Sequence, residues 1–477
     1  MTRIPLVLLA LGIIACSDDT SVMAPDQPAL ASNDTLSTST LELSFDTRGL
    51  SARTALSGGA ATVFDATVEA FSLAAPNLQA LSLARHETGD AEFEVEFVPS
   101  PAAANAGLGP VFDNVSCEAC HEGDGRGRPP ASGEPFSSLL FRASVAGTGP
   151  HNGPVAVPGF GTQLQLRAVP DFTPEVYAGV SYTDSAGSFT DGTAYHLQVP
   201  HYTISNGYAA LPAGVLLSPR VAPFVFGLGL LEAVPEADVL ALASKKVHTF
   251  KVSGRPNYVW DEVLQRTALG RFGWKANVPN LVQQTAGAYN GDMGITSPLF
   301  SAESCEGEYA GCTAHPPEVD DQTVQDVAFY ARTLGVPARR NLSEPLTRQG
   351  ESEFYAAGCD DCHAPTLRTG SLAGIPEVSN QVIHPYTDLL LHDLGPALAD
   401  QRPDFQASGS EWRTPPLWGI GLVETVNGHT NFLHDGRARS LLEAVLWHGG
   451  EAAASQDRVL GMSAQQRAAL LAFLGSL

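Results

Sequence analysis

The chain has 477 residues, with 27 Lys and Arg against 51 Asp and Glu, a formal net charge of −24. So acidic a chain repels phosphate backbones and anionic lipid, which excludes nucleic acid and adsorption to an anionic membrane surface, while a basic electron-carrier protein suits it as a partner. Its 46 Gly and 34 Pro predict much loop, in a length that holds two or three domains with cores of their own.

From the N-terminus, Arg3 precedes an apolar run over residues 4–15, too short to cross a bilayer and of the length of a signal-peptide core. The run ends Ile13-Ile14-Ala15-Cys16, similar to a bacterial lipoprotein processing site. Cleavage after residue 15 leaves the Cys16 thiol to carry lipid; an ordinary secretory signal with a stray cysteine is the alternative. Residues 16–50, rich in Ser, Thr, Asp, Asn and Pro, read as a lipid-anchored flexible linker. No later stretch is long and apolar enough to span a membrane. The expected place is therefore the bacterial cell envelope, facing the periplasm as an outer-membrane lipoprotein and touching membrane only through the N-terminal lipid.

Next come two copies of Cys-x-x-Cys-His, Cys117-Glu118-Ala119-Cys120-His121 and Cys359-Asp360-Asp361-Cys362-His363. Two thiols at this spacing add to the two vinyl groups of one haem, and the adjacent His reaches the iron. A zinc site or a thioredoxin-like pair is the alternative, but zinc wants two ligand pairs close together and a redox pair needs no His at both fifth positions. Two covalently bound c-type haems are the expected cofactors. Of the remaining cysteines, Cys305 and Cys312 suit a small disulfide-closed loop, which implies an oxidising compartment.

Each motif follows an aromatic residue five positions before its first Cys, Phe112 and Phe354, in stretches that read as short helices. Each is followed by an amphipathic helix, over residues 320–334 and 463–477, the second opening with a Ser463/Gln466 capping box. The fold expected is mainly α: two cytochrome c-like haem domains, the first with a long loop-rich insertion. The N-terminal haem domain covers 51–335 and the C-terminal one 336–477, divided near Pro337. Within the insertion, residues 215–231 fit either a strand or a buried loop. A third helix opens at Ser440 with Glu443 and stops at Gly449-Gly450, which places Leu441, Val445 and His448 on one face. A lone His there is usually a core residue; beside a haem it becomes a candidate iron ligand.

The segment Asn431-Phe432-Leu433-His434-Asp435-Gly436-Arg437 through His448-Gly449-Gly450, with Arg413-Thr414-Pro415-Pro416-Leu417 before it, resembles the C-terminal signature of the bacterial di-haem cytochrome c peroxidase superfamily. Ser253-Gly254-Arg255-Pro256-Asn257, Gly270-Arg271-Phe272-Gly273-Trp274-Lys275-Ala276 and Asp292-Met293-Gly294-Ile295-Thr296 are similar to its di-haem oxidoreductase branch, also called thiol oxidoreductase. The resemblance spans residues 105–477. It implies that His448 stands where relatives place a Met, giving a His363/His448 haem of lower potential. It implies Trp274 between the haems and Arg413 at the cofactor, with Gln284 and Asp292 on the distal side of the first haem, where Asp292 moves a proton between the oxygens of peroxide. A core aromatic and a surface Asp are the plainer readings of Trp274 and Asp292. His434 resembles a family His near the inter-haem route, or is a packing residue.

For the first iron, His151 is the displaceable sixth ligand that the resemblance suggests, with His196 and His201 as rivals and an open site as the alternative. Arg126 and Arg128 suit haem propionates, or form a solvated basic loop. Relatives hold calcium between domains, and Asn427-Gly428-His429-Thr430 departs from that pattern. The activity implied is peroxide reduction at the first haem, with electrons relayed through the second from a small cytochrome, a copper protein or a small-molecule reductant. Related proteins are often homodimers. Non-catalytic electron transfer and haem-dependent oxidation of an organic or protein substrate are the other readings.

Overall fold

Helices enter and leave each motif region, and paired strands joined by loops run through what lies between them. The structure is a computed structural model describing residues 55–102, 104–245, 249–303 and 317–477. The leader, Cys16, the linker and the Cys305/Cys312 pair lie outside the described residues. Among those described, 29% are helical and 20% are in strands or bridges, arranged in seven sheets of two or three strands. This overturns the expectation of a mainly α, cytochrome c-like fold. The reason is local: the segment read as loop-rich insertion alternates β-branched and aromatic with small or polar residues, a pattern that pairs as hairpins.

The longest example joins Val176–Ser188 to Ala194–Asn206 in unbroken antiparallel register, around a turn in which Gly192 takes φ +85°. This hairpin straps the C-terminal third of the chain. Its backbone at Gln198 donates to the Glu443 carboxylate, Arg439 reaches Asp184 at 3.2 Å, and near its tip Asp191 accepts from buried Arg467 at 2.8 Å. Of the ambiguous residues 215–231, Leu216–Val221 is a strand paired with Leu139–Ser144, and Leu228–Glu232 is a short helix.

Two helix pairs frame the motifs. Ala80–Phe93 packs on Asp321–Thr333, and Pro345–Ala356 on Ala464–Leu474. Each crossing passes through a glycine: a Cβ on Gly89 would meet the Asp326 carbonyl at 2.1 Å, and one on Gly350 the Ala469 carbonyl at 1.8 Å. Val324, Val327, Ala328, Ala331 and Leu334 are buried as their spacing predicts, Asp320 caps their helix at Thr323 N, and the Ser463/Gln466 capping box is present. Phe354 lies in a helix as expected, while Phe112 sits in the two-residue strand Val111–Phe112. Gly109-Pro110 before it and main-chain bonds from Asp113 and Asn114 to the Asp292 carbonyl hold that segment extended. The helix serving the first motif lies further upstream, and its Phe93 stands 6.2 Å from the His121 ring. Among the described residues no helix is long and apolar enough to cross a membrane.

Candidate functional site

At the second motif, Gly358 takes φ +69° after the Pro345–Ala356 helix. That left-handed turn suits Gly and delivers the chain directly into Cys359. A tight turn follows, with His363 N donating to the Cys359 carbonyl at 2.9 Å. The His363 Nδ1 lies 2.9 Å from the Tyr386 carbonyl, and the His448 Nδ1 lies 2.8 Å from the Ala444 carbonyl. A carbonyl only accepts, so in both rings Nδ1 carries the proton and Nε2 presents a lone pair, the arrangement of a metal-ligating imidazole. Burial pushes His363 down to about 4, and His448 down as well, which keeps both rings neutral.

Both rings line one cavity that encloses about 1040 Å³ of space, counting its open mouth, with Cys359 and Cys362 on the same wall. Apolar side chains such as Leu417, Val445, Val459 and Leu470 make up much of the rest. Buried Arg413 is also on the wall, its guanidinium bonded to the carbonyls of Gly273 (2.9 Å) and Thr414 (3.3 Å). Beside it His392 bridges Asp388 (2.8 Å) and Glu451 (3.0 Å) and approaches the Cys362 sulfur at 3.6 Å. Burial opposes a charge on His392, but bonds to Asp388, Cys362 and Glu451 prevail and hold it up to about 12, so it is an imidazolium.

At the first motif His121 N donates to the Cys117 carbonyl at 3.0 Å, and its Nδ1 lies 2.7 Å from the Pro223 carbonyl. The tautomer is therefore the same as at the second. All four motif cysteines are free of disulfides. Burial pushes Cys120 and Cys359 up to about 12, and Cys117 and Cys362 up as well. Thiols held neutral suit thioether formation better than zinc binding or redox exchange. Among the described residues no group of three or more His, Cys, Asp or Glu is placed to hold a metal ion.

What stands near this motif differs from the second site. Asp292, at the end of the Leu281–Met293 helix, accepts from Gln163 Nε2 at 2.8 Å, and the same nitrogen donates to Asp113 at 2.7 Å. Both acceptor oxygens therefore lie within about 5.5 Å of each other, the two distances taken together. At an effective dielectric of 20, two full charges at that separation repel by roughly 3 kcal/mol. Burial, then the charge of Asp292, push Asp113 up to about 8, and burial raises Asp292. One turn before Asp292, the buried Tyr289 hydroxyl has no hydrogen-bond partner; burial and the neighbouring Cys117 push it up.

Other predicted residues fall elsewhere. Gln284 lies on the same helix as Asp292 but eight residues earlier, about 12 Å along the axis; the amide beside Asp292 is Gln163. His151 is exposed and stacks on Trp260, with ring centroids 3.8 Å apart. Trp260 accepts from Gln283, so this stack marks the opposite end of the helix from Asp292. His196 and His201 are on the exposed edge of the hairpin, His201 bonded to Thr183. Arg128 is half exposed and pairs with Glu134 at 2.9 Å. Asn427 and His429 dock on the backbone of Arg126.

Trp274 is buried between the two motif regions. Its Nε1 donates to the Val221 carbonyl at 2.8 Å, the Arg126 guanidinium lies 5.6 Å from its ring, and its carbonyl accepts from Arg413 N at 2.9 Å. Arg126 is itself buried, bonded to the Leu433 carbonyl, and its Nε has no partner. A donor left orphaned in this way fits a carboxylate-bearing ligand. Trp412, which the sequence reading missed, lines the cavity and stacks on His434 at 3.6 Å, with Lys275 Nζ 4.4 Å from its ring centre. Val221 N donates to the His434 carbonyl at 2.8 Å, which joins the two tryptophans through Val221 and His434. The Asp388/His392 spacing of four was the only sequence signal for that pair; Gln163 and Asp113 carried none.

No curated protein matches the chain, and no solved structure does. A family model described as "Di-haem oxidoreductase, putative peroxidase" matches residues 52–477. That span takes in both Cys-x-x-Cys-His motifs, the His363/His448 cavity and the carboxylates beside Cys117, and the chain belongs to the di-haem oxidoreductase family.

Proposed function

We propose that this protein is a c-type di-haem peroxidase that reduces peroxide beside the first motif and takes electrons in through the second. The asymmetry of the two sites carries this reading. A second neutral imidazole lines the cavity with His363, whereas the side chains gathered near the first motif are two acids, an amide and a phenol. Two ligating imidazoles suit electron storage; an acid beside a redox centre suits chemistry on a bound oxygen species.

In this reading Cys117 and Cys120, and Cys359 and Cys362, hold the two haems as thioethers. His121 ligates the first iron, and His363 with His448 the second. The orphaned Arg126 donor and Arg413 receive propionates. When bound, the haems supply one-electron redox chemistry, which side chains cannot. The chain's own residues do the rest. Pro223, Tyr386 and Ala444 carbonyls fix the imidazole tautomers. Asp292 carries the proton that peroxide reduction consumes, and buried Trp274 and Trp412 fill the path between the sites with aromatic rings. Donors are a small cytochrome, a copper protein or a small reductant, met at the periplasmic side by a chain anchored through Cys16.

Electron paramagnetic resonance of the ferric protein tests this. A high-spin signal that changes on adding hydrogen peroxide, beside a low-spin signal that does not, is the expected result. Two low-spin signals indifferent to peroxide, before and after partial reduction, overturn the peroxidase reading and favour an electron carrier.

A further inference from the structure

One buried cluster near the first motif holds more acid than a single proton donor requires. Asp113 lies four residues before Cys117 in the chain, is 5% exposed, and is bound to Asp292 twice over. Its backbone N–H donates to the Asp292 carbonyl at 2.8 Å, and its carboxyl shares the Gln163 amide nitrogen with the Asp292 carboxyl. Gln163, 3% exposed, also donates to the Gly291 carbonyl at 2.9 Å. Turning its amide over would set an oxygen against the Asp292 carboxylate and the Gly291 carbonyl, neither of which can donate, so its orientation is fixed. That leaves Gln163 Oε1 buried with no partner. It lies 3.5 Å from where a side chain on Gly291 would begin, and Gly291 has none. An unpartnered acceptor in such a place fits the O–H of water or of a peroxide.

We propose that Asp113, Gln163 and Asp292 form one proton-holding unit, in which Asp113 stores a proton and Asp292 exchanges it with peroxide held at Gln163 Oε1. The proposal rests on the peroxidase reading. Asp113 is a positioning residue, since it acts through Asp292. The step is a proton transfer alone: the O–H bond of the Asp113 carboxyl breaks, an O–H bond forms on Asp292, and no electron moves. The gap of at most about 5.5 Å is one that a single water with two ordinary hydrogen bonds can span. The fields acting on the pair come from Arg142 on the Leu139–Ser144 strand, from His121, Cys117 and Cys120 of the motif, from Arg167 through Asn114, and from Glu175 across Gln165. Arg142 lowers both carboxyls, yet burial and their mutual repulsion leave Asp113 protonated at pH 7.

The test is infrared spectroscopy of the holoprotein across pH 6 to 10, with peroxide turnover followed over the same range. The expected result is a carbonyl band of a protonated carboxyl at pH 7 that disappears as pH rises through about 8 and is missing in Asp113→Asn. The variant should also lose the matching limb of the turnover profile while keeping its haem absorbance. Gln163→Leu, which removes the bridge without touching either acid, should move the band's titration by at least one pH unit. A wild-type protein without the band, or a band that survives Asp113→Asn, overturns the shared proton whatever the turnover. A band that behaves as expected in a protein that turns over no peroxide overturns the peroxidase reading and leaves the shared proton standing.

Discussion

The two motif regions begin alike and end differently. In each, a helix crosses its partner through a glycine, the chain reaches Cys-x-x-Cys-His, and a distant carbonyl takes the Nδ1 proton of the motif histidine. Beyond that point the second region lines an apolar cavity with His448, while the first packs Asp292, Gln163 and Asp113 beside the motif. The motif residues are local in sequence, and the side chains that surround each motif are not.

The sharpest way to break this comparison is to exchange the deciding groups. Asp292→Asn keeps shape and removes the acid, so peroxide turnover should fall by about 100-fold or more, with the low-spin signal of the second haem unchanged. His448→Ala should do the converse, turning the second haem high-spin in the resonance spectrum. If Asp292→Asn alters the second haem, or His448→Ala leaves it low-spin, the division of labour is wrong.

The shared part of the scaffold predicts a smaller, symmetric effect. Gly89→Val and Gly350→Val each drive a side chain into a facing carbonyl and should cost about 3 kcal/mol, measured by urea unfolding. A loss under 1 kcal/mol at either site would show that the crossing relaxes and that the glycine is incidental.

Acid should weaken the first helix pair. Burial holds His86 down to about 4, where it bonds Thr333 at 2.8 Å. Below about 6.5 the unfolded chain binds a proton that the folded ring refuses, so stability falls as pH drops from 6.5 toward 4, by on the order of 3 kcal/mol. His86→Gln should flatten the fall; an unchanged slope would assign it to other groups. The smallest expected effect concerns the strap over the Leu441–Leu446 helix that precedes His448. Glu443→Gln weakens the charge-assisted bonds to Arg439 and Gln198 and should cost about 1 kcal/mol, with a slight rise in high-spin signal at the second haem. No change in either would mean the hairpin merely covers that helix.

Much of the site could be read directly. The Cys-x-x-Cys-His pentapeptides are contiguous, and helical spacing grouped His448 with Leu441 and Val445, which line the same cavity. The capping residues Asp320, Ser440 and Ser463 were legible for the same reason, since a cap is a contact over three residues. The β content was not. The Val176–Ser188 hairpin reads as insertion until its two strands are seen to pair, and Leu216–Val221 becomes a strand only beside Leu139–Ser144. Phe112 shows that an aromatic before a motif does not by itself mark a helix, since Gly109-Pro110 and the Asp292 carbonyl hold it extended.

The sequence by itself determined the two Cys-x-x-Cys-His motifs and which family the chain resembles, since both rest on short runs whose chemistry is complete within a few residues. Only the tertiary structure decided what surrounds them. Pro223 lies 102 residues from the His121 it orients, and Gln163 lies 129 from Asp292 and 50 from Asp113. Contacts of that span are set by how hairpins and helices pack. A buried carboxylate, amide or carbonyl gains its function from the partner that folding brings to it.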